Sequence, residues 1–407
     1  MSESATVEDL PGAGLSSRRL PAHPYLSFGF ALVLITCTIW AVDVTSPALP
    51  EIQDEFGLTA RAAGLIVSIF FVGRLLGNFP AARLLETIGS PRTASIGGFV
   101  LVLGAITNAF SPTIEVLYFG RILQGIGIAL LVNAGLRSVM NARPGRGAAM
   151  TIYGVASTVG SVLGLLSSGY LTGNYGWRTI FTLSAVLGVV LMVLPILSTQ
   201  VARRSPRAVV AVSTVAGEIV PVRSYLLPLA INFLVFCNYS IWVILPLYAQ
   251  RKFDATPEVT ANLLLIITIT HLASAVPVSR AIHRFGPSWV LVASVAIAVS
   301  GTMGILLVNS SWQIALPLVL YGIGMVGAVN SAGDIVLHQG GGGSRAVGSL
   351  RQTCDLGLVI GPIAAGSIAD AVSYSAPFIV FPILMVIAAI GVLLPSSRTT
   401  KPSLEGA

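Results

Sequence analysis

Apolar residues fill twelve separate stretches of the chain, each roughly twenty residues long. A helix of about twenty residues crosses a hydrocarbon core about 30 Å thick, and in lipid only helices and closed barrels satisfy the backbone polar groups. Runs this long predict helices, so the predicted fold class is an all-α membrane protein. The predicted helices cover residues 26–46, 61–82, 93–111, 114–138, 148–172, 178–199, 225–247, 259–281, 288–308, 312–337, 346–369 and 375–395.

Composition supports this fold class. Of 407 residues, 54% are hydrophobic and 10% are charged, whereas a soluble chain carries about 25% charged residues. The net charge of +7 does not indicate nucleic acid, because the basic residues lie in short segments between apolar runs. Cys37, Cys237 and Cys354 fall inside apolar runs. Because their number is odd and they are far apart in the sequence, disulfides and a metal site are not expected. We expect no metal, no cofactor and no nucleic-acid partner.

The distribution of basic residues predicts the orientation. With the N-terminus inside, 16 Lys and Arg side chains lie in inside segments and 4 lie outside, and this bias places both termini in the cytoplasm. Residues 1–24 show no signal-peptide pattern, so we expect the first helix to be retained. Only 2 of the 23 basic residues are Lys, which hints at a GC-rich bacterial genome and hence at the inner (cytoplasmic) membrane.

An internal repeat appears when the chain is shifted by 197 residues. Of the 20 glycines between residues 64 and 188, 8 fall on another glycine, whereas chance at this glycine content predicts about 2. One unbroken offset across several helices predicts two six-helix halves in the same orientation, which is the arrangement of parallel transporter repeats. The predicted division is a cytoplasmic tail over 1–24, halves over 25–199 and 225–396, a cytoplasmic linker over 200–224, and a second tail over 397–407.

Several segments resemble signatures of the major facilitator superfamily, and in particular its twelve-helix drug:proton antiporters. The motif RILQGIG (121–127) is close to the family pattern in helix 4, and GWRTIF (176–181) matches the common start of helix 6. The segment DVTSPALPEI (43–52) is similar to helix 1 of the antiporters. The segments ARLLETIGSPR (82–92) and GSVLGLLSSG (160–169) resemble the family's first signature and its glycine-rich antiporter signature, each with substitutions.

The resemblance implies a set of residues that take part in conformational change. The helix 5 glycines recur at fourth positions, which permits close packing of membrane helices. Two interpretations stay open: a static packing surface, or a bendable contact between the halves that blocks leakage. The residues are Glu86, Gly89, Arg92, Gly160, Gly164, Gly169, Arg284, Gly357, Gly361 and Pro362.

Charged residues within helices are costly in lipid and usually face the protein interior or a water-filled cavity. Asp43 lies in helix 1, which lines the cavity in the family that this chain resembles, and we place it towards the outer end because Pro50 and Glu51 follow. Desolvation and a nearby cation shift the pKa of a carboxyl in opposite directions. Asp43 is therefore a candidate proton carrier tuned by Arg121. The alternatives are a static ion pair and a helix-end carboxylate wetted from outside.

Further ionisable residues suggest a second hypothesis. Arg74 and His271 are 197 residues apart and thus equivalent in helices 2 and 8. Together with Arg351 they are candidates for binding an anionic group, with interhelical hydrogen bonding as the alternative. His271 is also a candidate proton relay. Arg351 and Asp355 share a face of helix 11, and an intrahelical pair is expected there.

Polar and aromatic residues complete the candidate site. Asn133 and Asn330 are repeat equivalents and candidate ligands of the cavity. Tyr239 is a candidate lining residue, and Trp242 is either a lining residue or an anchor at the membrane interface. Arg137 and Asp334, with Glu86 and Arg280 or Arg284, form either a cytoplasmic gate that holds the outward-open state or ordinary helix-end charges.

The sequence favours a secondary active transporter over an enzyme. It contains no phosphate-binding glycine loop and no Ser/His/Asp arrangement, so neither ATP nor a catalytic reaction is expected. The first hypothesis is a monomeric, proton-coupled exporter of amphipathic compounds that works by alternating access, with the small molecule, protons and the bilayer as its partners. The second is uptake or exchange of a small anion. The third, a membrane receptor or assembly factor that transports nothing, fits the charges within the helices poorly.

Overall fold

The structure, a computed structural model, describes residues 24–142, 146–201, 223–339 and 344–393. Nearly all of the two predicted tails and of the linker lies outside these ranges. The described residues form a bundle of twelve helices. They are α1 (Pro24–Asp43 and Leu49–Phe56), α2 (Ala60–Thr87), α3 (Gly89–Ala109), α4 (Ile114–Ala142), α5 (Arg146–Tyr175), α6 (Arg178–Val201), α7 (Arg223–Asn238 and Ile241–Phe253), α8 (Pro257–Phe285), α9 (Pro287–Leu307), α10 (Ala315–Gln339), α11 (Ser344–Ala371) and α12 (Pro377–Leu393).

Length and hydropathy allow these helices to cross a membrane. Eleven spans in the described ranges are long and apolar enough to do so, and Pro377–Gly391 in α12 is a shorter apolar helix. The all-α fold class predicted from the sequence is therefore confirmed. We call the side on which α1 begins the inner side and the opposite side the outer side, following the predicted orientation.

Two helices are interrupted, which the sequence analysis did not predict. Helix α1 stops at Asp43, passes through a 3₁₀ turn over Ser46–Ala48, and resumes over Leu49–Phe56. Pro47 and Pro50 have no backbone N–H, so the hydrogen-bond ladder cannot continue through them. The predicted end at residue 46 is therefore wrong, and Asp43 lies near the middle of the span Ala31–Phe56 and not towards its outer end.

Helix α7 is interrupted at the corresponding level. The backbone N–H of Ser240 donates to the Cys237 carbonyl at 3.0 Å, and that of Val243 donates to the Ser240 carbonyl at 2.8 Å. These contacts span three residues, so the chain is wound more tightly here than in an α-helix. The helix then continues to Phe253, beyond the predicted end at residue 247.

The backbone repeats its unusual conformations at the offset of 197 residues. Gly57 and Asp254 both adopt left-handed conformations, with φ of 61° and 53°, and each ends the second segment of a broken helix. Gly89 and Gly286 have φ of 80° and 84°. The N-cap residues Thr59 and Thr256 also correspond, and each side chain accepts a hydrogen bond from the third residue that follows. The predicted repeat is thus a structural one.

Glycines hold the helices of each half in backbone contact, and their partners also repeat. Small residues allow such close approach between membrane helices. The equivalent contacts are Gly127 with Gly97 and Leu101, Gly324 with Ser294 and Ala298, Gly104 with Gly120 and Gln124, and Gly301 with Pro317 and Tyr321.

The halves meet mainly along two interfaces, α2 with α11 and α5 with α8, and the outer segments of α1 and α7 also contact each other. The close backbone contacts between them lie in the outer parts of these helices, and hydrogen bonds join the halves at the outer ends. The contacts are Gly64 with Pro362, Gly366 with Ala60, and Gly169 with Ala261, and the hydrogen bonds are Gln53 to Tyr374, Gln250 to Asp54, Asn174 to Glu258, and the Ala60 and Arg61 N–H groups to Asp370.

Candidate functional site

A small cavity lies between the halves at the level where α1 and α7 are broken. Its volume is about 20 Å³, which accommodates about one water molecule. It contains two of the ionisable residues singled out in the sequence, together with an aromatic wall. The lining residues include Asp43, Phe70, Phe71, Arg121, Tyr239 and Trp242.

Asp43 ends the first segment of α1, so the break directs its carboxyl group into this central cavity. The residue is 6% exposed, and the Ser161 hydroxyl of α5 lies against its carboxyl group. Among the described residues, no basic side chain lies within 4.0 Å of the Asp43 carboxylate. The static ion pair weighed in the sequence analysis is therefore absent in this conformation, and so is a helix-end carboxylate open to the outside.

Arg121 lines the same cavity but has partners of its own. Its Nη1 donates to Oε1 of Gln124 at 2.8 Å, its Nε donates to the Ile66 carbonyl at 3.3 Å, and its guanidinium lies 4.3 Å from the centre of the Phe70 ring. Only 1% of Arg121 is exposed. These contacts fix the cation near Asp43 without pairing it to the carboxylate. The sequence analysis missed Gln124, although it lies in the quoted RILQGIG motif.

An ion pair connects the two halves near the middle of the bundle. Arg74 of α2 lies 2.6 Å from Asp355 of α11, and the side chains are 16% and 5% exposed. Arg351, one turn before Asp355, adds a second contact at 3.2 Å. The predicted intrahelical pair of α11 is therefore present, but Asp355 is shared with an arginine from the other half.

The structure does not support a joint anion site of Arg74 and His271. Arg74 is paired with Asp355, which it shares with Arg351, and its guanidinium also lies 4.8 Å from the centre of the Phe71 ring. His271 lines neither the central cavity nor the inner cavity described below. Its Nε2 atom is buried, and no hydrogen-bond partner is found for it among the described residues.

Tyr239 and Trp242 lie at the break of α7 and form the aromatic wall of the central cavity. Their rings are stacked, with centroids 5.4 Å apart and planes 17° apart. Trp242 is 4% exposed. Its place is therefore inside the protein, and the alternative of a membrane-interface anchor is wrong.

A larger cavity occupies the inner part of the C-terminal half. Its volume is about 550 Å³, and it is lined by α7, α8, α10 and α11. With the outer ends closed, this cavity gives the molecule an inward-open arrangement. Its polar and charged lining residues are Asn232, Ser279, His283, Asn330, Asp334 and Arg351.

The two repeat-related asparagines differ in this arrangement. The Asn133 amide donates to Oδ1 of Asn78 at 3.0 Å and to the Ala129 carbonyl at 2.8 Å. Asn330 instead faces the inner cavity and is exposed. The difference follows from the sequence, because Ala275 replaces Asn78 at the equivalent position.

Some glycines of the antiporter-like segment and its repeat contact helices of their own half, and others contact the opposite half. Gly160 and Gly164 face the α1 backbone, and their equivalents Gly357 and Gly361 face the α7 backbone. These four glycines therefore pack helices within one half. Gly169 meets α8 of the other half, the Pro362 carbonyl of α11 meets Gly64 of α2, and the Ser161 hydroxyl lies 3.4 Å from the Thr268 hydroxyl of α8. Other residues of these segments therefore form the contact between the halves.

Arg137 and Asp334 of the predicted inner gate do not contact each other in this conformation. Asp334 contacts His338 of its own helix at 3.5 Å, and the Arg284 guanidinium lies 5.2 Å from the centre of the adjacent Phe285 ring. No ion pair between Arg137 and Asp334 occurs in the described ranges. Arg92 is exposed at the start of α3, after Gly89, whose left-handed φ sharpens the turn from α2.

Sequence reasoning also missed Asp370, which joins α11 to α2, and Ser161, which contacts Asp43. Asp370 and its partners are more than 300 residues apart, and nothing local in the sequence indicates their contact. Ser161 lies within the quoted glycine-rich segment. Across the described residues, no group of three His, Cys, Asp or Glu side chains is placed to hold a metal ion.

The chain resembles curated transporters over part of their length. It is 31% identical over 205 residues to the MFS transporter cpaT of Aspergillus oryzae, covering 47% of this chain and 41% of that protein. It is 31% identical over 155 residues to the arabinose-proton symporter of Escherichia coli K12 (38% and 33% covered) and 28% identical over 172 residues to the multidrug resistance protein Stp of Mycobacterium tuberculosis (42% and 32% covered). The matches thus span less than half of each relative.

Solved structures share the fold over almost the whole chain. A bacterial homologue of the human lysosomal transporter Spinster, in an inward-facing and occupied conformation, superposes with a TM-score of 0.74 at 16% identity, covering 91% of this chain and 97% of the other. The nucleoside transporter NupG gives a TM-score of 0.71 at 12% identity, covering 90% and 98%. The sequence profile of the Major Facilitator Superfamily matches residues 29–236 and 227–407. The chain is therefore a member of the Major Facilitator Superfamily of transporters.

Proposed function

We propose that the protein exports small amphipathic compounds in exchange for protons by alternating access. The observation that carries this proposal is the position of Asp43 in the cavity between the halves, where its buried carboxyl group has no cationic partner among the residues that the structure describes. Both termini lie in the cytoplasm in this proposal, and the protein acts as a monomer in a bacterial cytoplasmic membrane.

The proton step follows from the surroundings of Asp43. Burial of an unpaired carboxylate is costly, whereas the protonated carboxyl group is neutral and is stabilised by a hydrogen bond. Ser161 supplies a hydroxyl group beside it. When the outer side opens, water reaches this level from outside, and a proton enters there. When the inner side opens, the proton leaves towards the cytoplasm, and the imposed proton gradient drives the cycle.

The substrate class follows from the remaining lining of the central cavity. Phe70, Phe71, Tyr239 and Trp242 offer aromatic surface, which binds apolar and cationic groups. Arg74 is already engaged in an ion pair with Asp355 across the interface between the halves. An aromatic site with a carboxyl group suits an amphipathic or weakly cationic compound better than an anion.

The names of the relatives differ in substrate and direction, so they do not choose between the candidate functions. Stp is named as a multidrug resistance protein, and the Escherichia coli relative is named as an arabinose-proton symporter. The aromatic lining and the pairing of Arg74 with Asp355 are therefore the reasons for preferring an exporter of amphipathic compounds.

Transport in proteoliposomes tests the proposal. Ethidium is the probe, and an imposed pH gradient is the driving force. We expect Asp43→Asn to abolish ethidium accumulation driven by the gradient while ethidium exchange at equal pH on both sides persists, because Asn occupies the same space but carries no titratable proton. The matched control is Asp254→Asn on the outer surface, where Asn tolerates the left-handed φ of 53°.

Two outcomes contradict the proposal. Accumulation by Asp43→Asn at the rate of the unmodified protein removes Asp43 from the proton step. Uptake of a labelled small anion that is lost on Arg74→Ala, without ethidium transport, favours the anion carrier instead.

A further inference from the structure

Asp370 forms a contact between the halves that differs from every other outer contact. It lies at the outer end of α11, and its two carboxylate oxygens accept hydrogen bonds from the first two backbone N–H groups of α2. The Ala60 N–H donates to Oδ1 at 2.7 Å, and the Arg61 N–H donates to Oδ2 at 2.9 Å. The N-terminus of a helix carries unsatisfied donors and partial positive charge, so a carboxylate is stabilised there.

The repeat shows why α2 needs this carboxylate. Helix α8, its equivalent, has Glu258 in its own first turn. At the equivalent position α2 has Arg61, and its first turn contains no acidic residue. A basic residue there is unfavourable for the helix dipole. Helix α2 therefore receives from the opposite half the negative charge that α8 carries itself.

The second interface between the halves has no counterpart of this contact. The residue equivalent to Asp370 at the end of α5 is Gly173, which has no side chain. The nearest polar link there joins the Asn174 amide to Glu258 at 3.3 Å, and both residues have exposed side chains. Both links use a carboxylate, but the contact at α2 and α11 has two shorter hydrogen bonds, and both come from backbone N–H groups.

The position of Asp370 determines when its contact exists. Beside it, Gly366 faces the Ala60 carbonyl, and further along the interface Gly64 faces the Pro362 carbonyl. This outer part of the interface separates when the outer side opens. The separation withdraws Asp370 and leaves the α2 N-terminus with Thr59 alone as its cap.

We propose that Asp370 is a positioning residue of the transport cycle, which holds the outer side closed by capping α2 from the opposite half. The contact is made only while the outer side is closed, so it stabilises the inward-open state relative to the outward-open state. It sets the balance between the two states without touching the substrate.

Distances between two spin labels, measured by pulsed electron paramagnetic resonance, test this proposal in the full chain. Spin labels are placed on the outer loops of the two halves through Thr113→Cys and Asn309→Cys. Native thiols are removed by Cys37→Ser, Cys237→Ser and Cys354→Ser. The labels report the opening of the outer side directly, so the result does not depend on the identity of the substrate or on Asp43.

We expect Asp370→Ala to increase the ratio of long to short distances about fivefold, the factor that corresponds to the loss of one helix cap. Asp370→Asn should give a smaller increase, because the amide oxygen accepts a hydrogen bond but lacks the charge. Arg61→Glu should also increase the ratio, because it gives α2 its own anion and repels Asp370. The control is Asp254→Asn, which should leave the distances unchanged.

Thermal unfolding separates a change of state from a loss of structure. The distances of a variant are compared only if it unfolds within a few degrees of the unmodified protein. If Asp370→Ala does not fold, Arg61→Glu is used in its place. A distance distribution that is the same for the Asp370 variants, Arg61→Glu and the control overturns the proposal.

Discussion

The N-terminal and C-terminal halves share backbone conformations and helix packing but differ in their buried charged residues. Capping residues, left-handed positions and glycine contacts recur at the offset of 197 residues. The buried charges do not recur. At the positions of Asp43 and Arg121 the C-terminal half has Ser240 and Leu318, so the carboxyl and guanidinium groups of the central cavity come from the N-terminal half.

This comparison separates two kinds of constraint. A glycine in backbone contact with a neighbouring helix admits no larger side chain, so the packing of both halves stays alike. A charge in the interior is costly unless it has a role or a partner. One half therefore carries Asp43 and Arg121 of the central cavity, and the other contributes the inner cavity and the stacked pair of Tyr239 and Trp242.

The strongest test of the shared helix packing is to enlarge equivalent glycines. A Cβ atom at Gly104 would lie 2.7 Å from the Gly120 carbonyl oxygen, and one at Gly301 would lie 2.6 Å from the Pro317 carbonyl oxygen. Backbone cannot yield as a side chain can. We expect Gly104→Val and Gly301→Val each to cost about 3 kcal/mol or more and to abolish the monodisperse peak in detergent size-exclusion chromatography.

The matched controls are Gly154→Val and Gly333→Val, one in each half. A Cβ atom at either glycine meets no heavy atom within 4 Å, so both variants should elute like the unmodified protein. Loss of the peak for only one of the two packed glycines would show that the halves differ in packing as well as in chemistry.

The next effect concerns the ion pair between the halves. Arg74→Ala leaves the buried Asp355 with Arg351 alone, and removal of one partner from a buried pair costs about 3 kcal/mol. His271→Ala, at the equivalent position, removes no ion pair and should have a much smaller effect. Thermal unfolding in detergent measures both.

A double variant sharpens this result. Arg74→Leu combined with Asp355→Leu removes both charges and should recover most of the stability that Arg74→Ala loses. If the double variant unfolds as early as the single variant, the loss does not arise from an unpaired carboxylate.

The smallest effect is expected at the paired asparagines. Asn133→Ala breaks the hydrogen bond with Asn78 and should cost about 1 kcal/mol. Asn330→Ala removes an exposed side chain from the inner cavity and should change stability by less than about 0.5 kcal/mol. Equal losses of stability in the two variants would mean that Asn330 also holds the fold together.

Much of the fold could be predicted from the sequence. The length of each apolar run is a local signal of a membrane-spanning helix, and the glycines that recur at one offset are a periodic signal of the repeat. The offset alone identified Gly127 and Gly324, and likewise Arg74 and His271, as equivalent positions of the two halves. The breaks in α1 and α7 were harder to predict, since proline is common in packed membrane helices that do not break. Pro47 and Pro50 became informative only when the hydrogen-bond ladder around them was known.

Several residues of the site could be predicted from the sequence, but not which side chains contact each other. Asp43 and Arg121 were identified as buried ionisable groups, but the partners of Arg121 depend on how α2 and α4 are rotated. The contact of Arg74 with Asp355 joins residues 281 positions apart. Asp370 is exposed near a helix end, where acidic residues are common, and only the arrangement of the two halves shows its contact with α2.

The glycine contacts of α2, α3 and α4 have a mechanical consequence. Gly73 and Gly125 bring α2 and α4 together, and Gly104 and Gly127 do the same for α3 and α4. At these glycines the helices touch backbone to backbone, so no side chain there can change rotamer and take up a displacement. The three helices should therefore travel as one stiff block, and bending is left to α1 and α7, where the backbone ladder is already interrupted.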